Sequence, residues 1–207
     1  MAHDHDTDHD HDEYDHAHDH EHAEPELSEE EAAELERELV RRHALAQVRQ
    51  YPDVALRMKA REVTEFDDDL AQLAERMKHL MADAQGVGLA ANQIGLLQRI
   101  FVFEHGEEGT QSVVNPRIVD PSAETEVDSE GCLSLEGIRV PVERHVRLAL
   151  EGLDPSGAEL KLELEGMNAR VVQHEVDHLD GVLIIDRTDD EHRKEALGLL
   201  RPQPVLR

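Results

Sequence analysis

The sequence predicts an α+β fold: mixed, mainly antiparallel strands around a central helix that carries an HExxH motif, His174-Glu175-Val176-Asp177-His178. Three observations lead there. Leu70, Leu73, Ala74, Met77, Leu80 and Met81 recur at three- and four-residue spacing, which places one apolar stripe on a helix over 67–84. Short strand-like runs separated by turn residues fill the stretch from about 99 to 165. A second helical segment, 167–179, is opened by Gly166 and stopped by Gly181. The order helix, strands, helix is that of an α+β domain.

Taken along the chain, residues 1–24 alternate His with Asp or Glu and contain almost nothing to bury, so a disordered tail is expected. Pro25 ends it. Residues 25–46 read as an extension helix, with Ser28 and Glu31 spaced as a capping box. Its acids come early and Arg37, Arg41 and Arg42 late, which suits the helix dipole. Residues 47–207 are expected to form the catalytic domain. Tyr51-Pro52-Asp53 makes a turn near its start, and Gln85-Gly86 ends the helix at 67–84. Gly86-Val87-Gly88-Leu89-Ala90-Ala91-Asn92-Gln93 reads either as a tight helix-to-strand connection or as a backbone that a substrate can approach closely. Strands are expected at 99–104, 112–119, 138–143, 146–150 and 160–164, with a turn at Asp154-Pro155-Ser156-Gly157. Thr188 or Asp189 caps a last helix running to about Leu200, and Pro202 stops it.

Composition limits the function. The 207 residues suffice for one domain with a sizeable core. The formal net charge of -27 argues against direct nucleic-acid binding, because phosphates would be repelled. Much of that charge lies in positions 1–36, which hold no Lys or Arg. No apolar run approaches membrane-spanning length, and no basic-then-apolar signal opens the chain, so no membrane association is expected. One cysteine without an export signal points to the cytoplasm.

The chemistry concentrates in two short segments. His174 and His178, at i and i+4, stack on one helix face and can share one small ion. Glu175 sits beside them, where it can reach a water held by such an ion rather than the ion itself. Cys132 can form no internal disulfide and reads as the third ligand. A thiolate with two imidazoles leaves a fourth position open, as catalytic sites do. Glu175 could then take a proton from water and pass it to a leaving amine. Gln93 is a neutral donor suited to the anion that forms when a carbonyl is attacked. Met167 and Val171 precede His174 by seven and three positions and share its face, either as a pocket wall or as ordinary core. Asp177 reads as an exposed helix carboxylate or as a partner for a ligand histidine. His43, His79, His105, His145 and His192 are expected on the surface.

Three segments, Gly86–Gln93, Glu130-Gly131-Cys132-Leu133-Ser134 and Gln173-His174-Glu175-Val176-Asp177-His178-Leu179, resemble the signature segments of peptide deformylase, in the same order and with similar separations. The resemblance covers about residues 45–200. It implies a metal-dependent hydrolase that removes the N-formyl group from N-formylmethionyl peptides, on nascent chains at the ribosome exit. It implies Cys132, His174 and His178 as ligands of a divalent ion, usually Fe2+, with Zn2+, Ni2+ or Co2+ tolerated. It implies Glu175 as acid and base, Gln93 and the Leu133 N–H as oxyanion donors, and main-chain groups of Val87, Gly88 and Gly131 as substrate holders. Glu136 departs from the family, which often has proline there, and the segment before about 45 lies outside it.

Two rival readings stay open on the sequence alone. An HExxH zinc protease would draw its third ligand from Glu195 or His192, not Cys132. A metal-buffering protein would use the eight histidines of the tail.

Overall fold

The computed structural model describes residues 28–200, so the His/Asp-rich tail lies outside the described residues. Helix α1 (Glu29–Leu45) begins at Ser28, whose side chain and that of Glu31 cap each other's backbone as the spacing predicts. Ala44 and Leu45, at its C-terminal end, are buried. Helix α2 (Asp68–Asp83) starts at the Asp67 cap and buries Leu70, Ala74, Met77, Leu80 and Met81, the stripe read from the sequence.

Five strands form an antiparallel sheet in the order β1 (Gly88–Ala90), β2 (Ile100–Glu104), β3 (Thr110–Val119), β6 (Arg147–Leu153) and β7 (Glu159–Glu165). Strands β4 (Thr125–Cys132) and β5 (Leu135–His145) make a separate hairpin. Helix α3 (Gly166–Leu179) carries the HExxH motif, and α4 (Asp190–Leu199) follows, capped by Asp189 rather than Thr188.

The layering follows from the sequence of β2, Ile-Phe-Val-Phe. Successive strand residues point to opposite faces. Ile100 and Val102 pack with Leu70, Met77 and Met81 of α2, while Phe101 and Phe103 pack with Ala169, Val172 and Leu179 of α3. Both faces of β2 are covered, which explains an apolar run without alternation. A third cluster joins Leu135, Ile138, Val140 and Val142 of the hairpin to Leu183, Ile184 and Ile185. Helix α3 packs on the sheet through the second cluster and is tied to the hairpin by Arg170 and Gln173, which donate to the Val142 and His145 carbonyls; nine of its residues are buried. Met77, Leu89 and Phe101 are each fully buried; removing such side chains costs about 2–5 kcal/mol.

Candidate active site

The hairpin places the thiol. β4 and β5 pair in regular register from Thr125 to Gly131, and the register shifts between Gly131 and Cys132. Cys132 closes β4 at a turn made of Leu133 and Ser134. The Leu133 carbonyl accepts a hydrogen bond from Gln50 Nε2 at 2.8 Å, which fixes that peptide plane.

Helix α3 places the imidazoles. Cys132 Sγ lies 3.2 Å from His178 Nε2, and His178 Nε2 lies 3.2 Å from His174 Nε2. All three donor atoms fall within 4.8 Å of one another, the sole such cluster of metal-ligating side chains among the described residues. The site fits a cation for two further reasons. His174 Nδ1 is 3.0 Å from Glu130 Oε2, so Nδ1 keeps its proton and Nε2 is the nitrogen left to bind a cation once its own proton is displaced. The His178 ring is buried, and its carbonyl accepts a hydrogen bond from Asn92 Nδ2, which steadies the end of α3. One sulfur and two imidazole nitrogens converge on one point and, with their protons displaced, would form the donor set of a divalent transition metal.

Electrostatics agree. Burial disfavours a charged His174, but hydrogen bonds to Cys132 and Glu130 outweigh it and hold its pKa well above the usual histidine value. Burial, with His174 and Arg144 nearby, pushes His178 well below that value. One imidazole thus carries a proton where the cation would sit.

Glu130 is the residue that sequence reasoning passed over. It is buried, accepts hydrogen bonds from Arg144 at 2.9 and 3.0 Å and from Arg170 at 2.9 Å, and orients His174. Burial alone would raise its pKa; the bonds to His174 and Arg144 prevail and lower it to about 2. Arg144 reaches on to Asp177 Oδ2 at 2.6 Å, and Arg187 Nε donates to that same oxygen at 3.0 Å. Asp177 is therefore not an exposed carboxylate. It is buried in an ion-pair chain that reaches His174 through Arg144 and Glu130. A signal was available: Glu130 is an acid in a signature segment, two residues before Cys132, where a carboxylate can serve as partner to a ligand histidine.

Glu175 is 3 % exposed, and burial raises its carboxyl to about 7 against the pull of His174. Gln93 is fully oriented. Its Oε1 accepts from the Ala90 N–H at 2.8 Å, which turns Nε2 toward Ser134 Oγ at 3.2 Å and Cys132 Sγ at 3.7 Å. Space is tight at Gly86 and closed at Gly88. A Cβ on Gly86 would stand 2.8 Å from Leu133 Cδ1, and one on Gly88 would enter the Glu175 carboxylate. The positive φ that ends α2 belongs to Gln85, at 57°.

A cleft of about 600 Å³ brings Cys132, His174, Glu175, Gln93, Leu133, Val87, Gly88, Gly131, Met167 and Val171 together. His178 lies beneath it, 1 % exposed. Met167 sits at the rim and is 61 % exposed, whereas Val171 is buried and belongs also to the core between α3 and the sheet. The Val87 carbonyl accepts the Glu104 N–H at 2.9 Å, and Gly131 pairs with Arg139 across the hairpin.

Elsewhere the structure corrects two expectations. His105 and His145 are partly buried rather than on the surface: His105 packs on Phe103, and His145 Nδ1 bonds the Ser122 carbonyl at 2.7 Å. Gln173, next to the motif, is structural, since its amide joins α3 to both the N–H and the carbonyl of His145. His192 pairs with Asp189 at the start of α4, so the third donor is Cys132 and the protease reading fails.

Comparison with known proteins agrees with this geometry. The sequence profile of the family described as Polypeptide deformylase matches residues 45–194. The peptide deformylase of Natranaerobius thermophilus is 43% identical over 152 residues, covering 73% of this chain and 97% of that protein. The crystal structure of peptide deformylase from Thermotoga maritima aligns with a TM-score of 0.67 at 47% identity, covering 69% of this chain and 96% of that one. That of peptide deformylase from Thermus thermophilus aligns with a TM-score of 0.70 at 44% identity, covering 74% of this chain and 91% of that one. With its Cys132, His174 and His178 cluster on the hairpin and α3, the chain belongs to the peptide deformylase family.

Proposed function

We propose that Cys132, His174 and His178 hold one divalent ion, Fe2+ in its resident form and replaceable by Zn2+, Ni2+ or Co2+, and that Glu175 serves as general acid and base. The reaction is hydrolysis of the N-formyl group from the initiator methionine of nascent peptides, with release of formate. The observation that carries this reading is the buried Glu175 carboxylate, set in the same cleft as the three donors, with the Gln93 amide pinned beside them.

A bound divalent ion polarises a carbonyl and acidifies water. The chain supplies the rest. Glu175 takes a proton from the attacking water, whose oxygen adds to the formyl carbon. Gln93 Nε2 and the Leu133 N–H donate to the carbonyl oxygen as it becomes an anion. Glu175 then gives the proton to the amine nitrogen as the C–N bond breaks. Val87 and Gly88 on one side and Gly131 on the other hold the peptide extended, and Met167 and Val171 form the wall for the methionine side chain. Glu130 keeps His174 in one tautomer throughout. A metal-bound thiolate is best preserved in a reducing compartment, so we place the reaction in the cytoplasm, at nascent chains leaving the ribosome.

The test is formate release from a formyl-Met tripeptide by anaerobically purified protein, with metal content measured on the same sample. One ion per chain and formate release are expected, and Cys132→Ala should lose both. Fully metal-loaded protein that releases no formate would overturn the reading.

A further inference from the structure

We infer that helix α1 prolongs the substrate cleft and that Arg41 binds an acidic group on the peptide downstream of the formylmethionine. This rests on the deformylase reading above and extends it to a specificity-determining residue. Arg41 and Leu45 line the same cleft as Cys132 and Glu175. Their position is firm, because Ala44 and Leu45 are buried in the cluster that contains Met77 and Met81 of α2.

The surface continues beyond the cleft. A groove of about 630 Å³ runs along α1 past Leu35 and Glu38, and Gln85 lines both this groove and the cleft. A peptide whose formyl end lies at Glu175 therefore has a continuous path along α1 for its later residues. Leu35 and Leu39 are about half exposed on the helix, at 51% and 45%.

Charge is graded along this path. At the cleft end stand Arg41 and, on the hairpin wall, Arg139. Arg41 has one ion pair, to Glu38 at 3.9 Å, between a partly exposed and an exposed side chain of the same helix; such a pair holds the guanidinium weakly. Arg139 donates to the Ser129 carbonyl at 2.7 Å and to its Oγ at 3.2 Å, and no carboxylate lies within 4.0 Å of it among the described residues. Glu136 is the exposed carboxylate of the cleft lining. Further out the groove is acidic on balance, with Glu31, Glu34 and Glu38 against one cation, Arg37, whose Nε donates to the Ala33 carbonyl at 3.2 Å. A carboxylate two or three residues after the methionine would thus meet Arg41, and a lysine there would be disfavoured. Arg41 lies before residue 45, where the family match begins, so this wall is an addition to the shared domain.

The experiment uses metal-loaded full chain and C-terminally amidated peptides, formyl-Met-Ala-X-Ala and formyl-Met-X-Ala-Ala, with X as Asp, Asn or Lys. The kcat/KM ratio of Asp to Lys is measured at about 0.15 M ionic strength, where the long-range field of an acidic chain is screened. In Arg41→Glu that ratio should fall about threefold to tenfold at one X position, through KM, the scale of a partly exposed ion pair lost and reversed. Arg41→Lys should keep most of the preference. An unchanged ratio at both positions in folded Arg41→Glu would overturn the assignment, and so would an equal loss on all peptides, the mark of a structural role. If the unaltered enzyme releases formate from none of them, it is the deformylase reading that fails.

Discussion

The carboxylate of Glu175 rests against the α-carbon of Gly88: a Cβ at that position would stand 2.8 Å from Glu175 Cδ. The group proposed as acid and base occupies the space that a side chain at position 88 would take. Gly88→Ala should displace Glu175 and cost at least about tenfold in kcat, since small misplacements of a reacting group are expensive. Metal content and melting temperature should change little. Retention of kcat in a folded, metal-loaded variant would show that Glu175 tolerates a shift.

Glu175 itself should be dispensable for the metal and indispensable for the rate. Glu175→Gln keeps the shape and removes the base, so a loss of at least about 10²-fold is expected at unchanged metal content. In the metal-free site burial raises this carboxyl to about 7, and a nearby cation draws it down. The base form therefore grows as pH rises, and the rate of the unaltered enzyme should rise with pH up to a limb at or below that value. A Gln variant that kept this limb would show that another group produces it.

Glu130 joins the metal helix to the hairpin, and its loss should be felt in both. Removing it leaves Arg170 buried without its carboxylate and Arg144 with Asp177 alone, a change worth up to roughly 3–5 kcal/mol. Its pKa is lowered in the fold to about 2, from 4.5, so its contribution is complete above pH 4.5 and is lost as pH falls toward 2. The stability gap between the unaltered chain and Glu130→Gln, read by urea unfolding, should be widest near neutrality and narrow with acid. A gap independent of pH would mean that this carboxylate is not what the fold depends on.

Metal loading should release protons. With no cation His174 stays protonated well above the ordinary histidine pKa, and a ligand nitrogen cannot keep that proton. Addition of Zn2+ to metal-free protein in weak buffer at pH 7 should acidify the solution by about one proton or more per site. Apparent affinity should rise with pH. An unbuffered titration with no pH change would contradict this charge state.

Val171 forms part of both the core and the cleft. If Val171 walls the methionine pocket as proposed, Val171→Phe should raise KM for formyl-Met peptides while kcat holds, because the larger ring fills cleft space. The overpacked core should cost about 1–3 kcal/mol, and the folded fraction at assay temperature is checked by circular dichroism. An unchanged KM would leave Val171 with its packing role alone.

The parts of this molecule that were legible in the sequence are those with a strong period or a rare residue type. The α2 stripe, the Ser28–Glu31 box and the three signature segments could all be read directly. Strand β4 could not. Its residues Thr-Glu-Val-Asp-Ser-Glu are mostly exposed because the hairpin pairs β4 with β5 alone, so no apolar alternation marks it. Strand β1 is three residues long, too short for a period, and is fixed by β2 instead. Asp177 looked exposed because its partners, Arg144 and Arg187, come from outside its helix. The docking of α1 beside the cleft depends on Ala44 and Leu45 meeting α2, a contact between segments that no local pattern announces.

The site draws on positions 88–93, 130–134 and 173–178, and the two histidines come last. A chain interrupted before His174 owns the thiol and the oxyanion amide but neither imidazole. On the proposed ligand set such fragments lack two of the three donors. Completion of the site is therefore a late event in the chain's own synthesis: the three donors stand together only once α3 has docked between sheet and hairpin.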